Sequence, residues 1–265
     1  MGGAAAPQTY CLLQPRLPAT PLEELLAPEL WRCLASGTGR SGLGALARRE
    51  FEDVFSVPLF GAAFCEQLVR EAESFRSWAS GDGRRSPGLL LGARWYPKHM
   101  DESFEGLFGK LLNEVLVPLD AALFGEKAPL AYHHDYCICF EDGADRALKA
   151  HTDDSDVTVN VFLGTGSGSV THTGAELLLL DPTEEDTRCG TPRLNGSYKG
   201  RSFRYNHEEV GRAVIHRGSR WHAVLPLESG CRWNLVTWAL RADSEWKRSF
   251  YTEMDQQLLE KAQHE

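Results

Sequence analysis

The sequence predicts an α+β fold in which helices are segregated against one antiparallel sheet or sandwich. Three observations predict it. The apolar period changes from 3.6 to 2 at about Leu130. Helical and strand-like stretches follow one another in blocks instead of alternating, which excludes a doubly wound α/β arrangement. Hydrophobic residues make up 42% of 265, enough to bury one large core.

Taken in order, residues 1–48 read as an N-terminal tail with short helices. In "TPLEELLAPELWRCLASG" a capping box is expected, with Thr20 as cap, Pro21 in the first position and Glu23 reaching back, and Gly37 ends the run. Residues 49–265 read as a single domain. Its helical support, 49–128, opens with the strand-like "FSVPLF". A helix follows, carrying Phe64, Leu68, Ala72 and Phe75 on one stripe, then the Gly/Ser-rich loop "SGDGRRSPG". A second helical period runs through Phe104, Leu107, Phe108, Leu111 and Val115, and Pro118 is expected to kink or break it. The β core, 129–243, holds "YCICF", "VTVNVFL", "AELLLL", "RAVIHRG", "WHAVLPL" and "CRWNLVTWAL". A C-terminal helix is expected over 244–265. The segment Pro182 to Gly211 is too long for a hairpin loop, so it is either mobile or a substrate lid. Its basic, aromatic half "RLNGSYKGRSFRY" is where contacts to a polyanion would be sought.

The net charge of -9 and pI near 5.5 argue against a surface built to hold phosphate backbones, leaving nucleic acid a minority partner. No uncharged apolar run reaches the length of a membrane span, and the opening residues lack a secretory pattern. Seven cysteines, odd in number and without a CxxC pair, fit a reducing compartment, cytoplasmic or nuclear, and not secretion.

The chemistry concentrates in "ALKAHTDDSDVTVNVFLG". His151 and Asp153 are one residue apart, so at a strand end both side chains point to one side and can share an ion. A distant strand carries His222, and Arg232 stands ten residues on, across an expected hairpin turned at "LESG". Two histidines and one carboxylate leave a metal's opposite face open, which suits non-haem Fe(II). An arginine fork nearby suits the far carboxylate of a dicarboxylic acid whose other end chelates that metal.

These residues, with "VPLFGAAFCEQL" and "AVIHRGSRWHAVLPLESGCRWNLVTWALRA", resemble the Fe(II)/2-oxoglutarate-dependent dioxygenase superfamily, prolyl 4-hydroxylase-like. Within it the chain is most similar to the 2-oxoglutarate and iron-dependent oxygenase domain-containing protein 2 family. The resemblance covers roughly Val57 to Ala242, and its specific motifs lie in the second half. It implies a double-stranded β-helix, a jelly-roll of two antiparallel sheets with iron at the open end. His151, Asp153 and His222 match its metal triad, and Arg232 matches the group that holds the 5-carboxylate of 2-oxoglutarate. Two tyrosines common near the co-substrate are replaced by Phe140 and Phe162, and the usual Gly-Gly reads Gly174-Ala175. The implied reaction is hydroxylation of a C–H bond, tilted toward a protein side chain, with release of succinate and CO2. It takes Fe(II), 2-oxoglutarate and O2, with ascorbate as an accessory reductant.

Several neighbours compete with these assignments. Asp154 and Asp156 read as solvated turn residues, and the glycine and closing Glu of a calcium loop are missing. His216 rivals His222 but lacks an arginine ten residues later. Thr158, Asn160 and Phe162 form the set of the metal strand facing the pocket, with Asn160 a further co-substrate contact. On the last strand Asn234 shares the face of Arg232 and is a similar candidate. His172 lies in a glycine-rich loop that either approaches the pocket or leaves it exposed, the commoner fate, and His133 and His134, a second candidate metal group with Asp135, point oppositely on a strand. Three other readings stay open: the same chemistry on a nucleobase or small metabolite, a non-catalytic β-helix binding module, and a zinc hydrolase, which would not need Arg232.

Overall fold

The computed structural model describes residues 10–79, 94–125, 128–141, 146–166, 171–188, 190–192, 194 and 197–244. The expected C-terminal helix and the loop "SGDGRRSPG" lie outside the described residues. After a 3-10 turn at Leu17–Ala19 come α1 (Leu22–Leu25), α2 (Pro28–Ala35) and α3 (Gly39–Leu46). The expected capping box is not formed. The Leu17 carbonyl of the 3-10 turn accepts from the Thr20 amide, and Thr20 turns its hydroxyl back to the same oxygen at 2.8 Å. The run forms two short helices, because Pro28 holds Ala27 extended and Leu26 bridges to Phe60. Leu17, Leu22, Leu25, Leu26, Leu30 and Leu43 of this segment are nevertheless buried in the main core.

The chain continues through β1 (Arg48–Phe51), β2 (Val54–Pro58) and α4 (Ala62–Ala79), which buries the predicted stripe. One acid lies on that buried face: Glu71 accepts from the Tyr10 hydroxyl at 2.5 Å and from the Leu13 and Gln14 amides, tying the N-terminal segment to the helix. Next come β3 (Arg94–Trp95), α5 (Pro97–Met100), α6 (Ser103–Leu111) and α7 (Val117–Leu123). Pro118 does not break the run. A π-helical turn over Leu112–Leu116 precedes it, and it occupies the first turn of α7, where a missing N–H costs little.

The remaining elements are β4 (Leu130–Glu141), β5 (Leu148–His151), β6 (Val157–Gly164), β7 (His172–Gly174), β8 (Leu177–Asp181), α8 (Glu184–Thr187), β9 (Arg201–Tyr205), β10 (Arg212–Arg217), β11 (His222–Val224) and β12 (Leu227–Arg241). They form two antiparallel sheets. The larger runs β1-β2-β10-β6-β12-β4-β3, with β7 also paired to β12, and the smaller runs β5-β11-β8-β9. This is the double-stranded β-helix. The long 182–211 segment is therefore not all loop, since α8 and β9 lie within it and β9 pairs with β8 from Leu177↔Tyr205 to Asp181↔Arg201.

Alternation on β6 and β12 divides two cores. Val157, Val159, Val161, Trp233, Leu235 and Ala239 pack against the helices. Tyr136, Phe140, Leu177, Val214 and Val236 belong to a second cluster between the sheets. Thr158, Asn160 and Phe162 share that inner side, so the functional face is the one turned away from the helices. No helix among the described residues is long and apolar enough to cross a membrane.

One buried ion pair fastens the helical layer to β12: Arg241 meets both oxygens of Asp120, at 2.7 and 2.8 Å, and also donates to the Ala128 carbonyl. Arg241→Ala leaves a buried carboxylate alone and is expected to cost about 3–5 kcal/mol in urea unfolding. Arg241→Met combined with Asp120→Leu is expected to restore most of that loss.

Candidate active site

His151 and His222 come together by strand register: they stand directly opposite each other where β5 pairs with β11, with ring centroids 4.2 Å apart. Each ring is oriented by its own strand. His151 Nδ1 donates to the Lys149 carbonyl at 2.7 Å, and His222 Nδ1 to the Arg220 carbonyl at 2.9 Å. Both Nε2 atoms are thereby left as lone-pair donors. Each lies 3.6 Å from an oxygen of Asp153. The three ligand atoms fall within 4.8 Å of one another, a geometry that admits a single ion. Burial pushes His222 down to about 4, so it is neutral and able to ligate at ordinary pH. Only His151 is substantially open to solvent, which places the open face of the site on its side. Two imidazoles and one carboxylate fit Fe(II).

Asp153 is positioned by contacts that the HxD spacing does not reveal. Its amide donates to the Gly218 carbonyl at 2.9 Å, and its Oδ2 accepts from Thr158 Oγ1 at 2.6 Å. Ser155 Oγ lies 2.7 Å from the same threonine. Gly218 must be glycine for this clasp, since a Cβ there would stand 2.0 Å from the Ser155 carbonyl. Asp154 is exposed, as expected. Asp156 is not a solvated turn acid: it accepts from the Arg241 amide at 2.8 Å and the Ser244 hydroxyl at 2.6 Å, because the turn is pinned to the end of β12. His216 stays outside the triad. It lies opposite Thr158 on β10, 4.8 Å from the His222 ring, and donates to the Arg217 carbonyl.

The expected hairpin between His222 and Arg232 does not exist. β11 belongs to the smaller sheet and β12 to the larger, so the chain crosses between sheets at Leu225–Leu227 and the two residues stand on different sheets. Arg232 is only 1% exposed. Its Nη1 donates to the Ala175 carbonyl, its guanidinium lies 4.6 Å over the Phe140 ring, and its Nε has no partner among the described residues. Burial pushes this guanidinium down to about 9, yet it remains cationic at neutral pH. Among the described residues no carboxylate lies within ion-pair distance of it. Ala175, which replaces a glycine of the resembled pattern, holds φ at 56° and so aims its carbonyl at the guanidinium.

Asn160 and Asn234 do share this cavity, but they bind each other: Asn234 Nδ2 donates to Asn160 Oδ1 at 2.7 Å, while Asn234 Oδ1 is buried without a partner among the described residues. His172 is not an exposed loop residue. It starts β7, half-buried, 5.4 Å from the Phe162 ring, and the Arg232 charge and burial both lower its pKa. His207, which sequence reasoning missed, is buried 5.9 Å from the same ring. The period-2 alternation of Phe203, Tyr205 and His207 was the available signal, obscured inside a segment read as a loop. His133 and Asp135 pair at 2.6 Å on the helix side, away from the metal site. Two basic residues of the long segment are paired with acids. Lys199 meets Glu185, and Arg201 meets Asp181 and Glu52.

No family model matches the chain. It is 30% identical over 197 residues to the 2-oxoglutarate and iron-dependent oxygenase domain-containing protein 2 of Homo sapiens, covering 74% of this chain and 51% of that one. The chain is a homologue of this oxygenase group. It thus spans about half the length of that relative. A more distant relative, procollagen-lysine,2-oxoglutarate 5-dioxygenase 1 of Mus musculus, is 25% identical over 207 residues, 73% of this chain and 25% of that one. Among solved structures, AviO1 from Streptomyces viridochromogenes shares the fold, with a TM-score of 0.51 at 14% identity over 77% of this chain and 96% of that one. The dependence on iron and 2-oxoglutarate stands in the relatives' names, and the His-Asp-His cluster agrees with it.

Removing the hydrogen bond that steadies Asp153 should weaken the metal site without unfolding the protein. Thr158→Val is expected to lower Fe(II) or Co(II) affinity by about 10–100-fold in a direct titration, and Thr158→Ser to keep most of it.

Proposed function

We propose that this chain is an Fe(II)- and 2-oxoglutarate-dependent dioxygenase that hydroxylates a C–H bond of a protein side chain and releases succinate and CO2. The observation that carries this reading is the buried Arg232 charge, without a carboxylate partner among the described residues, on the strand that crosses over from His222 of the His151-Asp153-His222 cluster. A buried cation costs several kcal/mol unless an anion joins it, so the cavity favours an anionic guest. Ala175, whose carbonyl holds Arg232, precedes β8, and His222 pairs with Leu179 on β8. Four residues of strand, about 13 Å, separate the two levels. The arginine side chain and a five-carbon dicarboxylate together bridge such a gap.

Bound Fe(II) supplies the redox chemistry that couples decarboxylation of the 2-oxo acid by O2 to oxidation of the substrate C–H bond. The chain's own residues set the conditions. His151 and His222 present fixed Nε2 lone pairs, Asp153 supplies a carboxylate kept in place by Thr158, and Arg232 orients the co-substrate by its distal end. The inner wall toward the other end of β12 is aromatic: Tyr136 and Trp238 meet edge to face at 5.6 Å, with Tyr96 and His134 beside them. Such a wall favours a side chain lying against it and keeps water from the reacting bond. The relative that acts on procollagen lysine supports a protein substrate.

Succinate formation from 2-oxoglutarate, with Fe(II) and under air, is the test. The wild type should turn over even when uncoupled from a substrate, and His151→Ala should abolish it. Arg232→Ala should raise the half-saturating 2-oxoglutarate concentration roughly a hundredfold, the loss of about 3 kcal/mol of charge-assisted hydrogen bonding. Absence of Fe(II)-dependent turnover together with absence of 2-oxoglutarate binding would contradict the reading.

A further inference from the structure

The strand β9 and the residues after it bring His207 into the cavity between the sheets. Tyr205 and His207 are buried, while Arg204 and Asn206 between and beside them are exposed, so the alternation of β9 continues inward past its end. His207 is 3% exposed, and neither Nδ1 nor Nε2 has a hydrogen-bond partner among the described residues. An imidazole carries at least one N–H in either protonation state, so a buried donor is left unsatisfied. The ring is walled by Tyr205, 5.2 Å away, and by Phe162. Burial, reinforced by the charge of Arg232 and by His172, keeps it neutral.

Arg232 Nε–H is a second buried donor without a partner among the described residues, and its charge is felt at His207. Glu176 is the one acid whose charge is felt by both Arg232 and His172, and it forms no ion pair with either among the described residues. Two orphan donors buried near each other have no structural benefit, since an apolar ring in place of His207 would satisfy the same walls without the desolvation penalty. They do match an acceptor-only group with two oxygens.

We propose that His207 is the second donor to the carboxylate held by Arg232, so that the residues following β9 complete the pocket for the distal end of the 2-oxo acid. This rests on the 2-oxoglutarate reading above. Its neutral ring N–H binds one carboxylate oxygen while the guanidinium binds the other, and the phenyl rings of Phe140 and Phe162 wall the carbon chain. His207 is thus a specificity residue: it favours a 2-oxo dicarboxylate over a 2-oxo acid of equal length without the second carboxylate.

The experiment is calorimetric titration of 2-oxoglutarate and of 2-oxopentanoate, which lacks the 5-carboxylate, into the Mn(II)-loaded full chain without O2. His207→Phe, which keeps a ring but no N–H, should bind 2-oxoglutarate about tenfold more weakly and 2-oxopentanoate within about twofold of wild type. His207→Gln, which keeps an N–H donor, should recover most of the lost affinity. Without ligand, His207→Phe should melt no lower than wild type. If His207→Phe does not fold, His207→Leu and His207→Gln provide the same contrast. Equal binding of 2-oxoglutarate by wild type and variant, or equal weakening of both acids, would overturn the role of His207 alone. A wild type that binds 2-oxopentanoate as tightly as 2-oxoglutarate, or binds neither, would overturn the co-substrate reading itself.

Discussion

A full positive charge sits between two sheets with no negative charge paired to it among the described residues, and much of the inner architecture serves that burial. Arg232 is held by one backbone carbonyl and one aromatic face. The carbonyl is available because Ala175 takes a left-handed backbone, and the face because Phe140 stands opposite Arg232 in the register of β12 and β4. Neither contact neutralises the charge. Desolvation remains the dominant influence on the guanidinium, which makes the cavity a site poised for an anion.

The metal cluster and the arginine are coupled through one pair of strands. On β6 and β12 the register sets Trp238 opposite Thr158, Val236 opposite Asn160 and Asn234 opposite Phe162. Thr158 steadies Asp153 at one end of this ladder, and Phe162 flanks His207 and His172 at the other. The opposite face of the same strands is an apolar layer of valine, leucine, alanine and tryptophan against the helices. Stability and function are therefore carried on opposite faces of shared strands, and the polar alternation inside is tolerated because the outer face binds the helical buttress.

The strands and the metal cluster were legible in the sequence because period-2 alternation and a one-residue ligand spacing are local signals. His151 and Asp153 are separated by one residue, and their geometry follows from the strand end alone. What failed was nonlocal or competed with stronger local chemistry. The turn after His222 reads as a hairpin, but the chain changes sheets there, and no pattern in "LPLESG" distinguishes the two outcomes. Thr20 has the right neighbours for a cap, yet the preceding 3-10 turn offers its hydroxyl a nearer carbonyl. His207 was hidden by the length of its segment and by charged residues around it, although its alternation with Tyr205 was present. Gly218 gave no sign, because its need for glycine comes from Ser155, far away in sequence.

The charge at Arg232 can be tested by removing it while keeping its bulk, comparing melting of wild type and Arg232→Met with and without 2-oxoglutarate in the Mn(II)-loaded protein. An uncompensated buried cation predicts that ligand-free Arg232→Met melts as high as wild type or higher, and that 2-oxoglutarate raises the melting temperature of the wild type alone. A ligand-free variant that melts several degrees lower, with 2-oxoglutarate stabilising both proteins equally, would show that Arg232 is a structural residue and that the anion binds elsewhere.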